Sequence, residues 1–439
     1  MNLVYGVKDK PKFGQMLIFA FQQILAILAA TIAVPSIIGN GMSQSAALFG
    51  AGVGTLVYQL FTKRNSPVFL GSSFAFIGSM FAAFGGAASA AAGYAGLIIG
   101  AGFAGLVYVI IALVVKFAGV NWINKLMPPV VIGPTVAIIG LSLAGNAVGD
   151  LTTGRVAGCS PYVALICGLV TLFAVIFFSV YGKKMAKLIP FILGILAGYV
   201  VAAIFTVIGV ATGNAALQVI DFSVFANMGI VSLPDFTFMM AAKGLKEIDG
   251  AFIATVAVAY VPVAFVVFAE HIADHKNLST IIGSDLLANP GLHNTLLGDG
   301  IGSFVGAFFG GCPNTTYGES VGCVAITRNA SVATITTTAI LCMLISFFDP
   351  FVTFLASIPN CVMGGVCITL YGFIAVSGLK MIQQVNLSAS KNLFVAAVIL
   401  ITGIGGLSLT FGKVTLTSIA CALILGILVN VMVSKAKED

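Results

Sequence analysis

Roughly fourteen runs of apolar residues follow one another through the chain, most of them near the ~20-residue length that crosses a hydrocarbon layer as a helix. That succession excludes most folds. Lipid offers no partner for a backbone N–H or C=O, so a chain of such runs becomes a bundle of membrane-spanning helices. The runs centre near Leu25, Leu56, Ile77, Val107, Ile138, Leu172, Ala197, Val261, Phe304, Val324, Leu344, Ile368, Val398 and Leu425. Only 8% of residues are charged, against roughly 25% in soluble domains. The 51 glycines suit helices that pack closely in a membrane. The net charge of +6 is spread over short loops with no basic stripe, so no nucleic-acid partner is expected. Eight cysteines occur singly, without a CxxC pair, and read as small buried hydrophobes rather than metal or redox sites. Lys8, Lys10 and Lys12 precede a first run already long enough to span, so no cleavable signal peptide is expected.

Lysine and arginine positions orient the bundle. With the N-terminus inside, the inside loops hold Lys8, Lys10, Lys12, Lys63, Arg64, Lys116, Lys125, Lys183, Lys184, Lys187, Lys276, Arg328, Lys380, Lys391, Lys435 and Lys437. The outside loops hold Arg155, Lys243, Lys246 and Lys413. Sixteen against four is a strong positive-inside bias and places both termini in the cytoplasm. The longest polar connection, about Thr212 to Gly250, divides the spans seven and seven, and an odd number per half inverts the second half relative to the first. The halves echo each other. Span three opens SPVFLGSSFAFIGS (Ser66 to Ser79) and span ten opens CPNTTYGESVG (Cys312 to Gly322). Pro128, Pro129 and Gly133 of span five answer Pro359, Gly364 and Gly365 of span twelve. Interrupted segments at matching places in inverted halves point to a transport site.

Three stretches carry polar chemistry at membrane depth. Pro313 to Arg328, PNTTYGESVGCVAITR, starts irregular and is expected to become helical from Ser320. Its Glu319 lies among apolar runs, where a charge costs several kcal/mol unless it is paired or takes up a proton. Arg328 is too distant to pair with it, since nine residues of helix separate them by roughly 13 Å. Where the helix starts, unpaired N–H groups and the positive dipole end can meet a carbonyl, so Tyr317 and Gly318 join Glu319 as candidates. Span eight ends AEHIADHKNLS, with Glu270 and Asp274 on one face and His271 and His275 on the next. Glu270 follows about twenty apolar residues, while Asp274 and His275 are expected to run into the inside loop. The H-x-x-D-H spacing superficially resembles an inverted zincin motif, but it carries Asp where that motif has Glu and lacks a third ligand; no metal or other cofactor is expected. In GSSFAFIGS, Phe74 and Phe76 are expected to alternate on an extended segment, placing Phe74 to stack on a flat ring. Two carboxylates, an aromatic face and free backbone N–H groups match a planar heterocycle with ring N–H donors and carbonyl acceptors. Uracil and xanthine both fit.

NTTYGES-x-G-x-x-x-x-T-R, GSSFAFI, AEHI, NPGLH and PNCVMGG together resemble the uracil permeases of the nucleobase/ascorbate transporter family, over nearly the whole chain. The resemblance implies an all-α membrane protein of fourteen segments in two inverted seven-span repeats, with extended breaks in spans three and ten. It implies a core domain of residues 14–119 and 250–350, and a gate domain of residues 120–212 and 351–434 that mediates a homodimer. Glu270 and Glu319 would hydrogen-bond the base, Phe74 would stack on it, and the backbone at Tyr317 and Gly318 would contact it. Tyr371 matches a gate tyrosine. Proton symport across the inner membrane is implied, with Glu270, His271 and Asp274 as coupling candidates and the proton in place of any cofactor. Three departures stand out: Gln23 where the family commonly has histidine, Ser320 where asparagine is usual, and Asp274 where some uracil permeases have histidine. A xanthine or purine carrier is the alternative within the family. An anion carrier of the same fold is disfavoured by Glu319, and a channel by two acids on broken helices.

Overall fold

The computed structural model describes residues 3–119, 128–183, 185–226, 228–411 and 414–434. Lys125, Lys184, Lys413, Lys435 and Lys437 of the charge count, and the expected domain start at residue 120, lie outside them. Each of the fourteen run centres falls in a helix: α1 (Phe13–Ile38), α2 (Gln44–Phe61), α3 (Ile77–Gly85), α4 (Ala90–Ala118), α5 (Pro129–Ser142), α6 (Pro161–Tyr181), α7 (Pro190–Thr212), α8 (Gly250–Ile282), α9 (Leu292–Gly310), α10 (Gly318–Thr327), α11 (Val332–Ile345), α12 (Asn360–Ile382), α13 (Ser390–Ile404) and α14 (Ser418–Val433). Seven of them are by themselves long and apolar enough to cross a membrane: α1, α4, α5 with its continuation to Asp150, α6, α7, α8 and α12. The ends follow local chemistry. Ser43, Ser89, Asp249, Ser331 and Thr417 cap α2, α4, α8, α11 and α14 by accepting from backbone N–H groups, and Pro129, Pro161 and Pro190 occupy first helical turns, where a missing N–H costs nothing.

Glycine sets the closest helix contacts. α2 lies on α9, where a Cβ on Gly54 would come within 2.7 Å of the Gly302 carbonyl. α5 lies on α12 through Gly133 and Gly378. α9 also packs on α4, α2 on α11, α8 on α4, α1 on α11, α12 on α6, α13 on α5, α7 on α6 and α14 on α13.

Two short strands cross in the middle of this bundle. β1 (Leu70–Ser72) pairs antiparallel with β2 (Asn314–Thr316), Gly71 facing Thr315. The pair is buried throughout and is held from outside as well. The Thr55 hydroxyl accepts from Leu70 N and donates to Leu70 O, and Asn314 Nδ2 donates to the Gly50 carbonyl. The last rung is Ser73 N–H to Pro313 O; beyond it Pro313 has no N–H to offer and the ladder ends.

Three expectations are corrected here. The helical part of the span-ten stretch begins at Gly318 rather than Ser320, because extended Tyr317 already acts as its cap. Phe74 and Phe76 do not alternate on a strand; with the ladder finished, Phe74–Phe76 closes into a 3-10 turn that runs into α3. Asp274 and His275 do not enter a loop, since α8 continues as helix to Ile282. At the N-terminal end, residues 4–9 lie along the exit of α10: Val4 and Tyr5 N–H groups donate to Arg328 O, Ala330 N–H to Tyr5 O, and the Ser331 hydroxyl to Asp9 O.

Candidate functional site

The β1–β2 crossing aims two helix starts at one place. The 3-10 turn that leads into α3 begins after Ser73 and α10 begins after Tyr317, and neither start has a side-chain cap, which leaves N-terminal N–H groups open to a ligand. Between them lies a cavity of about 410 Å³. Its polar wall is Ser72 and Ser73, with the Phe74 ring beside them, on one side, Thr315 to Glu319 on the other, and Glu270 with Asp274 from α8. Its apolar wall comes from Val136 and Ile139 of α5 and from Leu370, Phe373 and Ile374 of α12.

Individual contacts fix this geometry. Tyr317 is wedged against Gly71, whose missing side chain is what admits the ring, and its hydroxyl donates to Ser72 O over 2.8 Å. Asp274 accepts from the Thr316 hydroxyl at 2.6 Å, tying α8 to β2. The Ser79 hydroxyl donates to Ala259 O at 2.7 Å and ties α3 to α8. Glu270, one turn before Asp274, is exposed to the cavity. Phe76 is buried and stacks on Tyr260, whereas Phe74 turns its ring to the cavity.

Of the residues singled out from the sequence, the structure brings Phe74, Glu270, Asp274, Tyr317, Gly318 and Glu319 together on this cavity. Tyr371 stands one layer back. It is buried and meets Phe74 edge to face, with ring centroids 6.1 Å apart, because the neighbouring Leu370 and Ile374 hold the cavity side of α12. His271 faces away, into α9. Its Nδ1 is 2.6 Å from Asp299 Oδ2 and its Nε2 2.9 Å from the Thr295 hydroxyl. That hydroxyl donates to Leu292 O, so it accepts from Nε2–H, and one proton is left to be shared between Nδ1 and Asp299. His275 stacks on His271 at 4.0 Å, donates Nδ1–H to His271 O, and holds Nε2 2.7 Å from the Tyr58 hydroxyl.

Sequence reasoning missed Asp299. Its signal is a lone acid inside an apolar, glycine-rich run, LLGDGIGS. It also missed that two of the departures from the family pattern touch: Gln23 Nε2 of α1 donates to the Ser320 hydroxyl of α10, both buried, at 2.5 Å.

A helical membrane protein with a mainly apolar cavity that carries three acids between broken helices is a transporter of small molecules, not an enzyme. The family model described as Permease family matches residues 14–411. The uracil permease of Bacillus caldolyticus is 38% identical over 432 residues, covering 98% of this chain and 94% of that protein. The uracil permease of Bacillus subtilis is 34% identical over 453 residues, covering 99% and 96%. Among solved structures, the transmembrane domain of the cyanobacterial bicarbonate transporter BicA superposes with a TM-score of 0.65 at 16% identity, over 97% of this chain and 100% of that one. The chain belongs to the permease family, as a multi-pass membrane protein of the kind its motifs indicate.

Proposed function

We propose that this permease imports a nucleobase, uracil in the first instance, by proton symport with alternating access. The observation that carries the reading is that Glu270, Glu319, the Phe74 ring and the uncapped start of α10 share one cavity. A uracil ring offers two N–H donors to the carboxylates, carbonyls to the α10 N–H groups and a face to Phe74. The full-length relatives named uracil permeases support the same substrate.

The architecture we assign is fourteen spans in two inverted repeats. Its support is an exchange symmetry in the packing. Adding or subtracting seven turns α9–α4 into α2–α11, α8–α4 into α1–α11, α12–α6 into α5–α13 and α7–α6 into α14–α13; α2–α9, α5–α12 and β1–β2 map onto themselves. Residues 14–119 and 250–350 then form the core that carries the polar wall, and residues 120–212 and 351–434 the gate that carries the apolar wall and a homodimer contact. Both termini lie in the cytoplasm of an inner-membrane protein.

In the mechanism, protonated Glu270 lets the loaded core move against the gate, because an unpaired charge crossing that apolar wall would cost several kcal/mol. Loss of the proton toward the cytoplasm releases the base. Glu319 orients the ring, and Asp274, engaged by Thr316, keeps α8 and β2 moving as one body. His271 and Asp299, sharing one proton behind the site, keep Glu270 in position.

The test is uptake of labelled uracil into proteoliposomes under an imposed pH gradient and then a sodium gradient. Uptake should follow the pH gradient and vanish in Glu270→Ala, and Glu270→Gln should bind without pH-dependent uptake. Absence of uracil uptake under both gradients in folded protein would remove the reading, and competition by xanthine would move it to a purine carrier.

A further inference from the structure

A second cavity, of about 340 Å³, lies at the other end of the same boundary. It sits where α1 ends and where α2 and α12 begin. Asp150, Arg155 and Asp235 contribute its charges, and Gln44 and Asn360 its amides. Gln44 donates through Nε2 to the Ser36 hydroxyl at 2.6 Å, while its Oε1 is buried with no protein hydrogen bond among the described residues. Arg155 reaches across to the carbonyl of Ala356. Two carboxylates, a guanidinium and amide groups give this cavity both acceptors and donors, against apolar side chains such as Met363 and Val352; the Glu270 cavity offers acids and hydroxyls instead.

The two cavities are in line. α12 contributes Asn360 and Met363 to this one and Leu370 to the first, and seven residues of helix separate Met363 from Leu370 by roughly 10 Å. Between those two stretches α12 carries buried Cys367, and next to Leu370 buried Tyr371 meets Phe74 edge to face. The cavity holds a guanidinium as well as two carboxylates, with the guanidinium engaged by the Ala356 carbonyl, so a neutral ring that both donates and accepts suits it better than a simple anion or cation.

We propose that this cavity is an external antechamber, a second and weaker site for the same class of planar, amide-bearing base, in which Asp150, Asp235 and Gln44 take the ring before the Phe74–Tyr371 contact parts to admit it to the first cavity. The proposal rests on the nucleobase reading above. Its test compares two measurements on Asp235→Asn, Asp150→Asn and Gln44→Ala: uptake of labelled uracil from outside by cells lacking their own carrier, and equilibrium binding of uracil to the purified protein. The expected result is a KM for uptake raised about tenfold, as for one lost charged hydrogen bond, with equilibrium binding at the Glu270 cavity unchanged. Unchanged binding also shows that each variant is folded. In Glu270→Ala, whose inner cavity is disabled, saturation-transfer NMR should still detect weak uracil contact, abolished by adding Asp235→Asn. Variants with wild-type KM, or Glu270→Ala protein without residual contact, overturn the antechamber while leaving wild-type uptake intact. Loss of wild-type uracil uptake would instead strike the nucleobase reading itself.

Discussion

Gly71→Ala places one methyl group where the site has no room for it. The added Cβ would overlap the Tyr317 ring, with even the third-nearest ring atom, Cδ2, at 2.9 Å. Ordinary carbon contacts lie at about 3.5–4.0 Å, so the ring has to withdraw by on the order of 1 Å. It cannot swing freely, because its hydroxyl is bonded to Ser72 O in the neighbouring strand. Relief therefore falls on Tyr317's own backbone, which caps α10. Overpacking of this kind costs about 1–3 kcal/mol. A shift of about 1 Å in groups that meet a ligand can lower turnover by roughly a hundredfold. Binding of labelled uracil to purified Gly71→Ala should weaken by about 10- to 100-fold, and transport should fall at least as far. The double variant Gly71→Ala/Tyr317→Ala should bind like Tyr317→Ala alone, since the clash needs both partners. Wild-type affinity in Gly71→Ala, or additive losses in the double variant, would refute the claim that this glycine positions the α10 start.

Other contacts give further expectations. Thr316→Val removes the donor to Asp274 and should raise KM for uptake about tenfold or more, the range for a hydrogen bond to a charged group, with Thr316→Ser restoring it. Asp299→Asn breaks the buried pair with His271 and should lower the stability of detergent-solubilised protein by about 3–5 kcal/mol, read as a large fall in melting temperature; an unchanged melting curve would show that the pair is not structural. Gln23→Ala and Ser320→Ala should each weaken uptake modestly, and a double-mutant cycle should return a coupling of about 0.5–3 kcal/mol, whereas strict additivity would mean that their hydrogen bond carries nothing.

The helices were legible because lipid imposes a length, and all fourteen run centres lie in helices. The break at Pro313 was legible because a proline followed by small polar residues cannot continue a span. Glu270 and Glu319 were legible because an acid in such a run is costly. Other features depend on which way a helix is turned, and apolar runs are nearly uniform around their circumference. His271 and Glu270 are adjacent in sequence, yet one faces Asp299 and the other the cavity. Tyr371 falls behind Phe74 for the same reason, a rotation about α12 that no periodicity announces. The extent of α8 was misread because Asp274, His275 and Lys276 look like a loop by composition; in the fold Thr316 and Tyr58 supply the polar partners that let the first two stay helical and inside. The contact of Gln23 with Ser320 joins residues nearly 300 positions apart and is a property of tertiary packing alone.

The strand crossing at the centre also sets a timetable. β1 is made early, but its partner lies more than 240 residues downstream. At about 5–20 residues per second of synthesis, the ribosome delivers β2 roughly 12 to 50 seconds after β1 has emerged. Throughout that interval the edge of β1 is an unpaired row of peptide groups at membrane depth, and Thr55, already made, is the neighbour that holds Leu70 at both its N–H and its carbonyl. The nascent first half must therefore wait, shielded by its own α2 or by the insertion machinery, and a chain cut short before Asn314 leaves the membrane with an open edge that nothing later in translation can close.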